Sequence, residues 1–219
     1  MAIQVQGNGG VVAEVDGTTF RAVRITNRPT DYGAFGMYRV AVTIPLVVTQ
    51  AANGTLFSFR WGDATRLCAI QDIRLQCIQT GAATATIFPT FEVVQARGWT
   101  VSDSAGTAIT LTTNSMKKRT SMGTTLVTDI RAAAVAAGLT VGTRTLDANA
   151  VLILPTQQTI TTPNASLYVA DLDMDHGSAH PLVFAQNEGF IVRGPTTAFG
   201  AAGTANLMVD VAWAELAAF

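Results

Sequence analysis

Residues 65–79 read TRLCAIQDIRLQCIQ. The LCAI run looks buried, whereas Ile73 and Leu75 alternate with Arg74 and Gln76, the two-residue period of a strand with one wet face. A long strand interrupted by a bulge explains this change of pattern. The same period extends outward from it. Tyr38, Val40, Val42 and Ile44 alternate with Arg39, Ala41, Thr43 and Pro45, and Phe57, Phe59 and Trp61 alternate with Ser58 and Arg60. Further strand candidates are ATIFPTFEVVQA (85–96), TAITLTT (107–113), AVLILP (150–155), SLYVADLDM (166–174), PLVFA (181–185), GFIVRG (189–194) and ANLMVDVAWAEL (205–216). Pro89, which cannot donate to a ladder, marks an edge or a bend in the first of these.

Turn chemistry separates the runs: NGT at 53–55, Gly81, SAG at 104–106, Gly123, Pro163 with Asn164, HGS at 176–178 and FGAAGT at 199–204. Only VTDIRAAAVAAGL (127–139) has the alanine content and closing Gly138 of a short helix, and it reads equally as a strand leading into a loop. No helix follows each strand, which argues against a parallel βαβ sheet, and no linker or shift of composition marks a boundary. The expectation is an all-β protein. It has a flexible N-terminal arm at residues 1–10 and a single antiparallel β-sandwich domain, of jelly-roll type with at most one short helix, over 11–219.

Composition narrows the class of function. The 219 residues are 48% hydrophobic and 13% charged, with a formal net charge of -1. An average soluble domain is about a quarter charged, so a surface this poor in charge is expected to be covered by partners. Of the 14 basic residues, only Lys117 and Lys118 are lysines. Arginine is favoured at protein interfaces, where lysine is depleted. Without a broad basic footprint, nucleic acid is not an expected partner. No basic-then-apolar leader opens the chain and no apolar run approaches the roughly 18 residues of a spanning helix, so no membrane is expected either. Cys68 and Cys77 lie nine positions apart, and on one straight strand they would face opposite sides. They read as free, buried thiols in a reducing compartment.

Motifs that would carry chemistry fail on inspection. DLDMDHGSAH (171–180) places Asp171, Asp173 and Asp175 on one strand face with His176 and His180 beyond. A calcium loop requires glycine sixth and an acid twelfth, where this chain has His176 and Leu182, so the stretch reads as a solvated strand end. There is no G-x-S-x-G elbow and no H-E-x-x-H, and Glu92 and Glu188 are isolated acids. GNGG (7–10) and GAAG (200–203) lack the lysine and following helix of a phosphate cradle. The expectation is a non-enzymatic protein with no cofactor and no metal. Lys117, Lys118 and Arg119 fall between two strand-like runs, on an exposed loop that is either solvated or docks on an acidic partner.

PLVFAQNEGFIVRGPTTAFGAAGTANLMVDVAWAEL (181–216) resembles the closing strands of a group of tailed-bacteriophage virion proteins, in which an NEGF turn opens a strand and a V-x-V-x-W-A-E strand ends the domain. FSFRWGDATRLCAIQDIRL (57–75) and KKRTSMGTTLVTDIR (117–131) resemble the same group, so the likeness spans most of the chain. It implies a structural part of a phage particle. With the composition, it leads to a capsid cement or decoration protein on the exterior of the virion, made in the bacterial host cytoplasm. Such a protein would form a homo-oligomer, with a trimer among the candidates, that bridges subunits of the major capsid protein. The interface candidates are the arm residues Met1, Ala2, Ile3, Gln4 and Val5 and the loop residues Lys117, Lys118 and Arg119. The alternatives are a tail or baseplate connector or fibre base, and a carbohydrate or host-binding module with Trp61 and Trp99 as glycan platforms.

Overall fold

The computed structural model of the chain describes residues 35–47, 50–134, 138–160, 167–173, 181–196 and 203–217, with the backbone of 15–16 and 22–23. The proposed arm, and with it Met1 to Val5, lies outside the described residues. A short ladder joins β1 (Val15–Asp16) to β2 (Ala22–Val23). The remaining strands are β3 (Met37–Leu46), β4 (Thr55–Trp61), β5 (Leu67–Gln79), β6 (Thr90–Val101), β7 (Thr107–Ala108), β8 (Val127–Ala132), β9 (Thr143–Pro155), β10 (Leu167–Asp173), β11 (Leu182–Phe184), β12 (Glu188–Arg193) and β13 (Ala205–Leu216). Asn114–Met116, a single 3-10 turn, is the one helical element among the described residues.

One sheet has the order β10-β5-β13-β3, with β11 also paired to β5, and the other has the order β7-β8-β4-β12-β6-β9. Every ladder is antiparallel. The chain changes sheet from β3 to β4, β4 to β5, β5 to β6, β9 to β10, β11 to β12 and β12 to β13. The resulting four-strand layers, β3-β13-β5-β10 and β4-β12-β6-β9, have the double Greek-key wiring of a jelly roll, as the sequence predicts.

The alternating residues supply the core between the layers. Tyr38, Ile44, Leu75, Val209, Val211 and Trp213 from one sheet meet Phe57, Phe59, Trp61, Phe91, Val93 and Phe190 from the other, all essentially buried. Phe59 is its aromatic centre, stacked on Phe190 with ring centroids 5.3 Å apart and edge-on to Trp213 at 5.2 Å.

The bulge expected in the opening stretch is present. Against β13 the register of β5 slips between Ala212 and Trp213, whose partners are Asp72 and Ile70, so Gln71 is the extra residue. That residue exchanges the faces of the strand. Cys68 and Ile70 before it point to the core, and so do Ile73, Leu75 and Cys77 after it. The expectation that the two cysteines face opposite sides is thereby corrected. Both are buried and free, and their strand separation of about 30 Å forbids a bridge.

Three other segments refine the sequence reading. VTDIRA of the alanine-rich stretch is strand β8, not helix, and Gly138 beyond it is suited to its place because it takes φ +73° and because a Cβ there would meet the Thr55 carbonyl at 2.9 Å. TAITLTT contributes only two strand residues before the chain turns. β9 begins seven residues before AVLILP, since Arg144 and Asp147, which lie in none of the strand candidates, are strand residues with ion partners. Asn187 and Glu188 of the NEGF motif have structural roles. Asn187 takes φ +62°. Glu188 accepts the Ala185 N–H at 2.8 Å and so closes the turn. A Cβ at Gly189 would collide with the Phe59 carbonyl.

Candidate interaction surfaces

Lys117, Lys118 and Arg119 are held on the outer edge of β3. Met116, buried just before them, anchors the segment in the core. Lys117 forms an isolated antiparallel bridge with Tyr38, and the Lys118 N–H donates to the Met37 carbonyl at 3.0 Å. The basic run therefore continues the sheet edge; Lys118 and Arg119 are exposed, and a turn closed by Met122 N–H to Arg119 O at 3.0 Å follows.

The return of this loop is fixed by Glu215, a fully buried carboxylate. Its Oε1 accepts the Thr125 hydroxyl at 2.6 Å and the Leu126 N–H at 2.8 Å, and the Trp213 indole N–H donates to Thr125 Oγ1 at 3.3 Å. Burial raises the Glu215 carboxyl above its ordinary value, against the opposing hydrogen bonds. Two-residue alternation in VAWAEL already puts Glu215 on the face of Trp213, so this group was legible in the sequence. Thr125→Ala is expected to cost about 1–2 kcal/mol, because it removes the hydroxyl donor from a buried carboxylate and the acceptor of the Trp213 indole N–H. It should also speed amide exchange at Leu126, and Thr125→Ser should restore both in urea denaturation and hydrogen exchange.

The glycan platforms are corrected. Trp61 and Trp99 are both 0% exposed, so neither offers a face for stacking. Trp61 packs inside the core and donates its indole N–H to the Arg66 carbonyl at 3.0 Å. Trp99 covers Val94, Ala96 and Ile191 on the outside of the six-stranded sheet.

Over Trp99 lies a feature the sequence did not reveal. The Arg144 guanidinium sits 4.6 Å from the Trp99 ring centroid, pairs with Asp103, and donates to Thr55 Oγ1 at 3.0 Å. Asp103 also accepts the Gly142 N–H at 2.8 Å. Both charged side chains are almost fully buried, at 2% and 0% exposure. They stand 41 positions apart, and no local pattern joins them.

The outer face of the five-stranded sheet carries a row of charges flanked by oily side chains. Arg39 pairs with Asp210 through Nε at 2.8 Å, and Arg74 with Asp171 at 2.8 Å. Asp72 lies among these acids. Partial burial, then the hydrogen bond and charge of Asp171, raise its pKa to about 6. A carboxyl raised from about 3.9 makes the folded state bind more protons. The stability it contributes is complete below the unfolded pKa and is lost as pH rises through about 6. Asp72→Asn is therefore expected to raise stability at pH 8 by about 1 kcal/mol, discounted for solvent screening, and to flatten the rise in melting temperature between pH 8 and 5. An unchanged slope would reject the assignment.

Leu167 and Val169 on β10 are 51% and 48% exposed, and Val151 and Ile153 on β9 are also exposed. In the acidic stretch, Asp171 makes the ion pair above, Asp173 ends β10 opposite Asp72, and Asp175, His176 and His180 fall outside the described residues. Among the described residues no three His, Cys, Asp or Glu side chains are grouped to hold a metal ion. No helix among them is long and apolar enough to cross a membrane.

No family model matches the chain, and no curated protein matches it. One similar solved structure is the infectious bursal disease virus VP2 subviral particle, at 13% identity and TM-score 0.11. The match covers 92% of this chain but only 44% of that one, and a likeness this slight carries no argument.

Proposed function

We propose that the chain is a non-enzymatic structural protein of a tailed-phage virion, a capsid cement or decoration protein whose copies associate and bridge coat subunits. The observation that carries this reading is a jelly roll of low surface charge that leaves Val151, Ile153, Leu167 and Val169 exposed along its strand edges. Double-sheet jelly rolls recur in viral capsid domains, and this supports the reading by fold analogy. The likeness of 57–75, 117–131 and 181–216 to phage virion proteins supports it from the sequence. The basic run at 117–119, fixed on a sheet edge instead of waving in solvent, suits a docking element.

The test is immunogold labelling of intact virions of a phage that encodes the chain. Dense label over the head is expected. Label confined to the tail would move the protein to a connector or fibre base, and unlabelled particles would reject both. Deleting residues 1–10 is expected to abolish binding to the capsid and leave the far-UV circular dichroism of the sandwich unchanged; undiminished binding would remove the arm from the contact.

A further inference from the structure

The two outer strands of the β10-β5-β13-β3 sheet match each other. Three antiparallel steps separate them, so β10 and β3 run in opposite directions. A second copy set alongside in the same orientation therefore presents its β3 antiparallel to this β10, as sheet continuation requires. Past the Tyr38–Lys117 bridge, neither strand has an outer ladder partner among the described residues.

The side chains correspond row by row. Tracing the ladders across the sheet, Leu167 is level with Pro45 and Val169 with Thr43, so the exposed oily end of one edge meets the uncharged end of the other. Further along, Asp171 is level with Ala41, and Asp72, one strand inside β10, is level with Arg39 through Ala212, so the acidic end of the β10 side meets the basic end of β3. The Arg39 side chain is 58% exposed, and the backbone bond from Lys118 to Met37 carries the positive row one step further. Arg39 and Arg74 are balanced within the chain by Asp210 and Asp171. That leaves Asp72 as surplus acid towards β10, and Lys118 and Arg119 as surplus base beside β3.

We propose that a second copy of this chain docks its β3 edge and basic loop on the β10 edge, head to tail. The contact rests on the self-association proposed above and names its surface. Arg39 and Pro45 are residues of the kind that keep a sheet edge from pairing indiscriminately. An edge carrying acid and apolar groups at the matching rows accepts them, which gives the contact its specificity. Because the two surfaces differ, repetition closes a ring or continues as a chain of copies, according to the rotation between neighbours.

Sedimentation velocity over a concentration series tests this on the full chain. Arg39→Glu with Lys118→Glu reverses the basic edge, and Asp72→Lys with Asp171→Lys reverses the acidic one. Each pair of changes is expected to weaken association at least tenfold, and combining all four to restore it, since the reversed edges again match. Cross-linking reads position directly and disturbs no ion pair: Thr43→Cys with Val169→Cys, treated with a short bis-maleimide, should give a ladder of covalent multimers. Either cysteine alone should give none, because native Cys68 and Cys77 are buried. An oligomer that ignores the reversals and yields no ladder overturns this contact but not self-association. A chain that stays monomeric at about 100 μM, a concentration at which a micromolar interface would be nearly saturated, overturns both. Unlabelled virions with an intact ladder would sink the virion reading alone.

Discussion

Arg144→Met is expected to cost about 3–5 kcal/mol, because it leaves Asp103 as a charge with no counter-ion in a site where the side chain has 0% exposure. Asp103 keeps the Gly142 N–H, but one amide does not replace a guanidinium. The change also removes the cation from the face of Trp99 and the donor to Thr55. The mechanism is uncompensated charge and not lost bulk, so the double variant Asp103→Asn with Arg144→Met should be more stable than Arg144→Met by itself. Asn keeps an acceptor for Gly142 while abolishing the charge. Urea denaturation of the wild type, both single variants and the double variant forms a complete cycle. Additive effects would show that the pair is merely adjacent, and a cost under 1 kcal/mol for Arg144→Met would show that water reaches Asp103.

Trp213→Ala is expected to be comparably damaging, at about 3–5 kcal/mol. The indole is fully buried where three groups of contacts meet. It stacks on Tyr38 at 5.6 Å, stands edge-on to Phe59 at 5.2 Å, and donates to Thr125 beside Glu215. Truncation opens a cavity between the sheets and also loosens the clamp on the 117–126 loop. Against a typical domain stability of about 5–15 kcal/mol, the variant should melt far below the wild type. Trp213→Phe keeps a ring between Tyr38 and Phe59 and should recover most of the loss. Thermal melts followed by far-UV circular dichroism decide; a Trp213→Ala penalty below about 1.5 kcal/mol would mean the sheets collapse onto the space.

Strand alternation was legible because one face of nearly every strand is core, and a period of two survives any strand order. Tyr38 to Ile44 and Phe57 to Trp61 show it, and both sets lie in the core or packed against it. Alternation does not say which side of a fold a tryptophan covers. Trp99 follows Gly98, whose φ of +57° turns the chain, and it is buried against the outside of a sheet beneath Arg144. Its burial depends on a residue 45 positions away (144 − 99), which no local pattern encodes. The basic run shows the same division. Its charge and its setting between strands were plain, but its place on the β3 edge depends on the Lys117–Tyr38 bridge across 79 positions (117 − 38).

By itself, then, the sequence determined an all-β chain of weak charge, its strand faces and the bulge in 67–79, because these follow from side-chain periodicity and turn chemistry within a few residues. Only the tertiary structure decided that Gln71 turns both cysteines inward, that Arg144 meets Asp103 over Trp99, and that the β10 and β3 edges carry matching rows. These depend on register, and register is fixed by contacts between strands remote in sequence, where a slip of one residue would send each side chain to the opposite face.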